Sequence, residues 1–580
     1  MKHAKQKFVF NKYDNQKDEI LEENNTLQQD VEENNKIDKI FKIICNVLII
    51  FILVYFFKSC VITHGQSVSS IQKMIFFFFV VISICLFVGI NYILSKKDYK
   101  LEKLFLIVMI PISIIYSLIM IPGMVPDEAT HMRLTYSLAS QIMGVEKDKT
   151  TLRGEEKYIY EHLPQAPNQE SYDYSYTHLL SGEDNGEYVT IDEDSANWKQ
   201  IFWYFPAVIG TIFARIMHFG ATPTLYIARL FNLFFYIWLT YFSIKKIPIG
   251  KQLLFMISIL PMCSQQMMSL SYDAILNASA FFCLAYGLFF VYHSEDVRYD
   301  EYIKYLFAAV LLLSIKSAIY SFLLLVPILS KFDNINGNVH LERKHKIILV
   351  LSISILILLL NFVSFGSTSS KEVVESTAVS KHIISWSGTE GYSIGWLITH
   401  PIEGIALFIN TINLKLEWYY YSCLGQDLSW FTVKLPFELF KCWGLLLLIS
   451  ALKKEENKID GRMRILFICI NSIVFFLVLL SMCIYWTPLG YDHIEGVQGR
   501  YFIPIIYHSK SAELCKEYGV EEYASSVGDG ENWEKSNINS EDIIKNIGKL
   551  EKDINFISHN NSILLAKKMN NKEKEIIKGL

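Results

Sequence analysis

Residues 201–219 read IFWYFPAVIGTIFARIMHF, and whether this stretch crosses a membrane decides the topology of everything around it. It is apolar enough to do so. The chain has 580 residues, 52% of them hydrophobic, with 39 Phe and a net charge of −4. Its apolar residues come in runs of about 18 or more, the length that crosses a hydrocarbon core. A soluble chain of this length would divide into several domains and carry more charge. The expected fold is therefore all-α: a polytopic transmembrane helix bundle of about 10–12 spans. Spans are expected near 40–57, 74–94, 104–121, 225–243, 252–270, 274–293, 304–331, 346–365, 434–451 and 463–485. The 304–331 stretch reads as one long helix or as two short ones bent around Ser314-Ile315-Lys316-Ser317, and the second is favoured because a lone Lys in apolar sequence faces a wet cavity.

Positive charge sets the orientation. Lys96, Lys97, Lys100 and Lys103 mark one basic loop, and Lys245, Lys246 and Lys251 a second. Arg343, Lys344 and Lys346 mark a third, and Lys453, Lys454, Lys458, Arg462 and Arg464 a fourth. All four are expected in the cytoplasm, together with the polar, unstructured tail 1–39. If 201–219 spanned, Lys245-Lys246 would lie outside, against the bias. The stretch is therefore expected to lie on the outer surface as a juxtamembrane helix, with Trp203-Tyr204, Arg215 and His218 at interfacial positions. The same reasoning covers 394–417. The large extracytoplasmic loop is then 122–224, where acidic side chains outnumber basic ones by about two to one. The membrane domain covers 40–507, and 508–580 is a polar tail with helical spacing and no assigned side. Most of the ten Cys sit in apolar runs as small apolar residues, and no CxxC or Cys/His cluster points to zinc. No cleavable signal peptide is expected.

The outer face collects the unusual chemistry. Pro126-Asp127-Glu128-Ala129-Thr130-His131, followed by Arg133, sits where the third strongly apolar segment ends. A carboxylate at a membrane boundary can act as general base on a hydroxyl or hold a divalent cation, and two adjacent ones can divide these roles. The same residues make a good helix start, with Asp as N-cap and acid in the first turn. His131 lies four residues after Asp127, on the same helix face. Tyr272-Asp273 falls at a tight outer turn, a place that also favours Asp for its own sake. Lys316 inside apolar sequence suits an anionic phosphate, or else snorkels to the interface. Arg229, near the outer start of a span, has the same two readings. In Gly496-Val497-Gln498-Gly499-Arg500-Tyr501 the glycines permit close backbone approach to a ligand and Arg500 offers a fork for phosphate. A glycine-bearing loop with an Arg-Tyr anchor is the plainer alternative. No Walker, GxGxxG, HExxH or nucleophile-elbow motif occurs, so nucleotide chemistry is not indicated.

Six stretches occur in this order: PDEATHMRLTYSLA, NWKQIFWYFPAVIGTIFARI, LYIARLFNLFFYIWL, ILPMCSQQMMSLSYDAILNASAFF, LLLSIKSAIYSFLLLVP and GVQGRYFIPII. Together they resemble the bacterial polytopic membrane proteins of domain of unknown function 2142, over roughly 100–507. That family shows Pro-Asp-Glu-x-x-His after an early helix and Gly-Val-Gln-Gly-Arg-Tyr-Phe near the end. It is distantly similar to the GT-C class of membrane glycosyltransferases. The resemblance implies a GT-C-like bundle with a large outer loop carrying juxtamembrane helices, in the bacterial cell membrane with its N-terminus in the cytoplasm. It implies a polyprenyl-phosphate-linked sugar donor and a cell-envelope glycan or lipid acceptor, with membrane lipids as the other partners and no nucleic acid. Asp127, Glu128 and His131 would form the catalytic group. Arg133, Arg229, Tyr272, Asp273, Lys316, Gln498, Arg500 and Tyr501 would contact substrate. A divalent cation on Asp127 and Glu128 would be the one cofactor. A flippase for a lipid-linked saccharide and a non-catalytic envelope-assembly protein are the alternatives. Family members continue into further apolar helices after the Arg-Tyr-Phe motif, whereas this chain turns polar at about 508.

Overall fold

The computed structural model describes residues 99–146, 148–164, 168–182, 186–293, 299–329, 383–452 and 461–507, with isolated positions between 43 and 93. The expected tail 1–39, the spans near 40–57, 74–94 and 346–365, and the tail 508–580 fall outside the described residues, apart from those isolated positions. The chain divides into two compact units, Met1–Tyr99 and Lys100–Leu580, and every element named below belongs to the second.

Helix α1 (Leu101–Ile119) leads into the motif loop and then α2 (Glu128–Ile142). Strand β1 (Lys149–Arg153), α3 (Gly154–His162), α4 (Gln169–Thr177) and β2 (Tyr188–Asp194) follow, and α5 (Ile201–Ile216) turns through Gly220 into α6 (Ala221–Lys246). The expected outer loop is thus a small lobe with a two-stranded antiparallel sheet, pairing Leu152 with Val189 and Arg153 with Tyr188. Four described helices are long and apolar enough to cross a membrane: α1, α6, α9 (Asp273–Tyr292) and α14 (Gly461–Trp486). This is an all-α membrane architecture carrying only short strand pairs.

Helix α5 cannot cross by itself, because 16 residues rise only about 24 Å. It packs along the first half of α6. Phe205 meets Phe235 at 5.0 Å between ring centroids, and a Cβ on Gly210 would sit 3.0 Å from the Ala228 Cα. Glycine at 210 is what lets the two helices approach there.

The expected span 252–270 is two short helices, α7 (Lys251–Ser258) and α8 (Pro261–Met267). Pro261 has no N–H to donate and pushes Leu260 into extended geometry, so the helix breaks there. Helix α10 (Tyr299–Tyr320) carries non-helical angles at Lys316 (φ −142°, ψ 63°) and continues as the 3-10 stretch Ser321–Leu329. The bend expected in 304–331 falls at that lysine. Helices α11 (Ile394–Thr399) and α12 (Pro401–Leu424), the short hairpin β3–β4 (Asp427–Leu428 and Val433–Lys434), α13 (Phe437–Leu452), α14 and the short α15 (Ile503–Ile506) complete the described chain.

Helix α9 is the central post. Its sequence is apolar all round, and 94% of its most apolar stretch is buried, against 22% for α1 and 28% for α14. Small residues Ala274, Ala278, Ala280 and Gly287 let its neighbours pack close. The first residue of this post, Asp273, is also part of the site.

Candidate functional site

Four remote segments meet at the start of α9. The loop after α1 delivers Asp127, the turn before α9 delivers Tyr272 and Asp273, the break in α10 delivers Lys316, and the 3-10 turn Gly499–Phe502 delivers Arg500 and Tyr501. Arg500 is the joint. Its Nη2 donates to Asp127 Oδ2 at 3.1 Å, and its Nε lies 3.4 Å from Asp273 Oδ2. Asp273 is buried, whereas 53% of the Asp127 side chain is exposed. Lys316 Nζ sits 4.2 Å from the Tyr501 ring centroid and 5.6 Å from that of Tyr272. The Arg500 guanidinium lies 5.5 Å from the same Tyr501 centroid, so both cations share one aromatic wall.

Local structure explains the placement. Asp127 precedes α2 but does not cap it with its side chain, and its backbone is left-handed (φ 65°). Asp tolerates this region better than most residues, yet the conformation remains uncommon. The capping use expected from sequence is therefore not made, and the carboxylate turns to Arg500 instead. Asp273 is set by its turn, where Ser271 Oγ accepts the Asp273 N–H at 3.1 Å. The Tyr320 hydroxyl, one helical turn beyond Lys316, donates to the Tyr501 carbonyl at 2.7 Å and ties the α10 break to the arginine turn.

His131 closes one side. Its Nδ1 is 2.8 Å from the Tyr204 hydroxyl on α5, and its ring meets Tyr272 edge-on at 5.1 Å. Burial, only partly opposed by Asp273 and Asp127, lowers its pKa to about 4, so it is neutral at pH 7. Burial, then Tyr272 and Asp273, push the Tyr204 phenol well above its usual range, which keeps it protonated. Burial pulls the Arg500 pKa down, but Asp273, then Tyr501 and Asp127, outweigh it and raise the group above its usual range.

Glu128 does something different from its neighbour. It is fully buried and accepts from Arg229 Nε at 2.7 Å, Arg229 Nη2, Gly123 N–H at 2.7 Å and Leu270 N–H at 3.2 Å. Arg229 completes itself on the carbonyls of Met120 (2.6 Å) and Ile121 (3.2 Å). The expected catalytic role of Glu128 and substrate role of Arg229 do not match this geometry, because each is saturated by protein partners. The pair is a frame: one carboxylate ties the loop carrying Asp127 to the turn carrying Asp273.

Other expectations land elsewhere. Arg133 is committed to the Asp194 carbonyl at 2.7 Å and lies 3.8 Å from Glu193. Gln498 stands just before the arginine turn, where its carbonyl accepts the Tyr501 N–H at 3.1 Å. The glycines beside it serve packing, not a ligand. A Cβ on Gly499 would strike the backbone of α12 at Tyr419 and Cys423, and Gly496 (φ 79°) backs onto Trp486 and Met482. The expected cation on Asp127 and Glu128 does not fit either. Glu128 has no free lone pair facing Asp127, and Arg500 already engages Asp127. Among the described residues, no three His, Cys, Asp or Glu are arranged to hold a metal.

Sequence reading missed Tyr204 and Tyr320 as site residues. Tyr320 had a signal, the i,i+4 spacing from Lys316. It also missed a second ionic cluster in the lobe that carries β1 and β2. There Glu156 Oε1 accepts from Arg153 Nε (2.7 Å) and Arg215 Nε (3.0 Å), and Glu156 Oε2 accepts from Arg215 Nη2 (2.6 Å).

A family model described as a predicted membrane protein, DUF2142, matches residues 110–508, and the chain belongs to that family. No curated protein and no solved structure matches it.

Proposed function

We propose that this member of the DUF2142 family is an integral membrane glycosyltransferase, acting at the outer face of the bacterial cell membrane. It takes a sugar from a polyprenyl-phosphate-linked donor and passes it to a cell-envelope glycan or lipid. The observation that carries the reading is the convergence of a half-exposed carboxylate, Asp127, with two cations, Arg500 and Lys316, at the head of a buried membrane helix. Such a group suits transfer from a phosphate leaving group. The acceptor hydroxyl oxygen forms a bond to the anomeric carbon and gives its proton to Asp127. The carbon–oxygen bond to phosphate breaks, and its electron pair leaves with the polyprenyl phosphate. Arg500 and Lys316 stabilise the charge that develops there. Neutral His131, held by Tyr204, can orient the acceptor hydroxyl without adding charge.

The test is transfer from a polyprenyl-phosphate sugar by purified protein in a bilayer. Asp127→Asn lowers the rate by about 100-fold or more, and Arg500→Ala by a similar factor, while the Asp127→Asn protein inserts and folds as before. Full activity in Asp127→Asn would sink the assignment.

A further inference from the structure

We infer that Arg500 is a shared partner for which Asp127 and the phosphate of a polyprenyl-phosphate lipid compete, so that the donor must bind before Asp127 is free to act. This rests on the transferase reading of the same site. The first observation is an unfilled donor. Arg500 is 6% exposed, yet its Nη1 is buried without a hydrogen-bond partner, and its Nε meets Asp273 only at ion-pair distance. Buried guanidinium donors are costly to leave unpaired, and the fork fits a phosphate. The second is Lys316, which rests on the rings of Tyr501 and Tyr272 with no carboxylate at ion-pair distance among the described residues. Both cations lie over Tyr501 at 4.2 and 5.5 Å from its centroid, so no more than the sum of those distances separates them. A phosphate on Arg500 can reach Lys316 across such a gap through an ordered water.

The third observation is the difference between the two carboxylates. Asp273 is enclosed at the head of its helix and stays with Arg500. Asp127 is 53% exposed on a left-handed backbone and can turn outward. With both carboxylates on Arg500 and Lys316 beside them, the charges of the group balance. An arriving phosphate anion upsets that balance unless one carboxylate withdraws, and Asp127 is the one with somewhere to go. While Arg500 holds Asp127 by Oδ2, the carboxylate is turned toward the guanidinium and away from an acceptor. Donor phosphate on Arg500 releases it. The device keeps the base occupied until a leaving group is in place.

Linkage makes this testable, because two ligands that compete for one group weaken each other by the same factor. Full-length protein in nanodiscs is titrated with farnesyl phosphate, with farnesol and inorganic phosphate as separate arms, and no sugar is present. Asp127→Asn is expected to bind farnesyl phosphate about tenfold more tightly than the native protein. In an Arg500→Lys background, which keeps the charge but loses the fork, that gain is expected to disappear. An unchanged or weaker affinity in Asp127→Asn overturns the switch. So does a gain of equal size in the Arg500→Lys background, which would mark long-range charge alone, and so does an equal gain for uncharged farnesol. A gain for inorganic phosphate equal to that for farnesyl phosphate keeps the switch but removes the lipid as its ligand. The transferase reading fails separately: farnesyl phosphate binding with the expected variant pattern but no sugar transfer would reject the reaction and leave the switch standing.

Discussion

The buried ionic cluster around Glu156 and the one around Arg500 differ in completeness. In the lobe that carries β1 and β2, Arg153 and Arg215 close on Glu156. Arg153 also donates to the Phe219 carbonyl (2.7 Å) and Thr224 Oγ1 (2.9 Å), and Arg215 to Ser140 Oγ (3.0 Å). Every guanidinium nitrogen there has a partner. Arg215 and Arg153 overcome the burial that would raise Glu156 and hold its pKa below the usual range. The Glu128–Arg229 pair is closed in the same way. At the Arg500 cluster, by contrast, a buried charged donor has no partner and a lysine rests on rings. A closed network fixes structure, while an open one is arranged for something that arrives.

The largest expected effect separates the two kinds. Glu128→Gln or Glu156→Gln leaves buried guanidinium charge uncompensated and costs about 3–5 kcal/mol. It should appear as loss of folded protein or a large fall in Tm in detergent. Asp127→Asn touches a half-exposed carboxylate and should leave Tm near the native value. Equal destabilisation by Asp127→Asn and Glu128→Gln would erase the distinction.

A pH effect comes next. His131 is neutral in the folded protein down to about pH 4, whereas the unfolded chain protonates it near 6.5. The unfolded state therefore binds more protons between those values, and stability falls as pH drops from about 6.5 to 4, by up to about 3 kcal/mol. Above 6.5 the term is absent. His131→Asn should flatten the Tm profile in that window, and an unchanged profile would show that His131 is not held neutral.

The smallest effect tests the arginine turn. Gly499→Ala presses a methyl against α12 and costs about 1–3 kcal/mol in local strain. Because the displaced turn carries Arg500, transfer should fall further than Tm suggests. Gly496→Ala, next to Trp486 rather than at Arg500, should harm stability more than transfer.

Much was legible from local pattern. Runs of bilayer length identified a membrane protein, because backbone groups in hydrocarbon must bond within a helix. The isolated lysine located the break in α10, because such a charge is tolerated where the helix opens onto other protein groups. The two end motifs named Asp127 and Arg500 as special. Pro261 stands inside the expected span 252–270, and at that residue the span divides into two short helices.

What local pattern could not supply was partnership. Asp127 and Glu128 are adjacent and equally acidic, so spacing and propensity treat them alike. Successive residues at a helix start point in different directions. Glu128 thereby meets Arg229, 101 residues on, and Asp127 meets Arg500, 373 residues on. Whether a carboxylate is a saturated strut or an available base depends on how many donors reach it, and those come from distant segments. Hydropathy and charge along the chain therefore told which helices suit hydrocarbon and which residues would be costly to place there. The fold settled which of those charges are closed upon each other and which stand open, because hydrogen-bond satisfaction is set by three-dimensional neighbours, not by order along the chain.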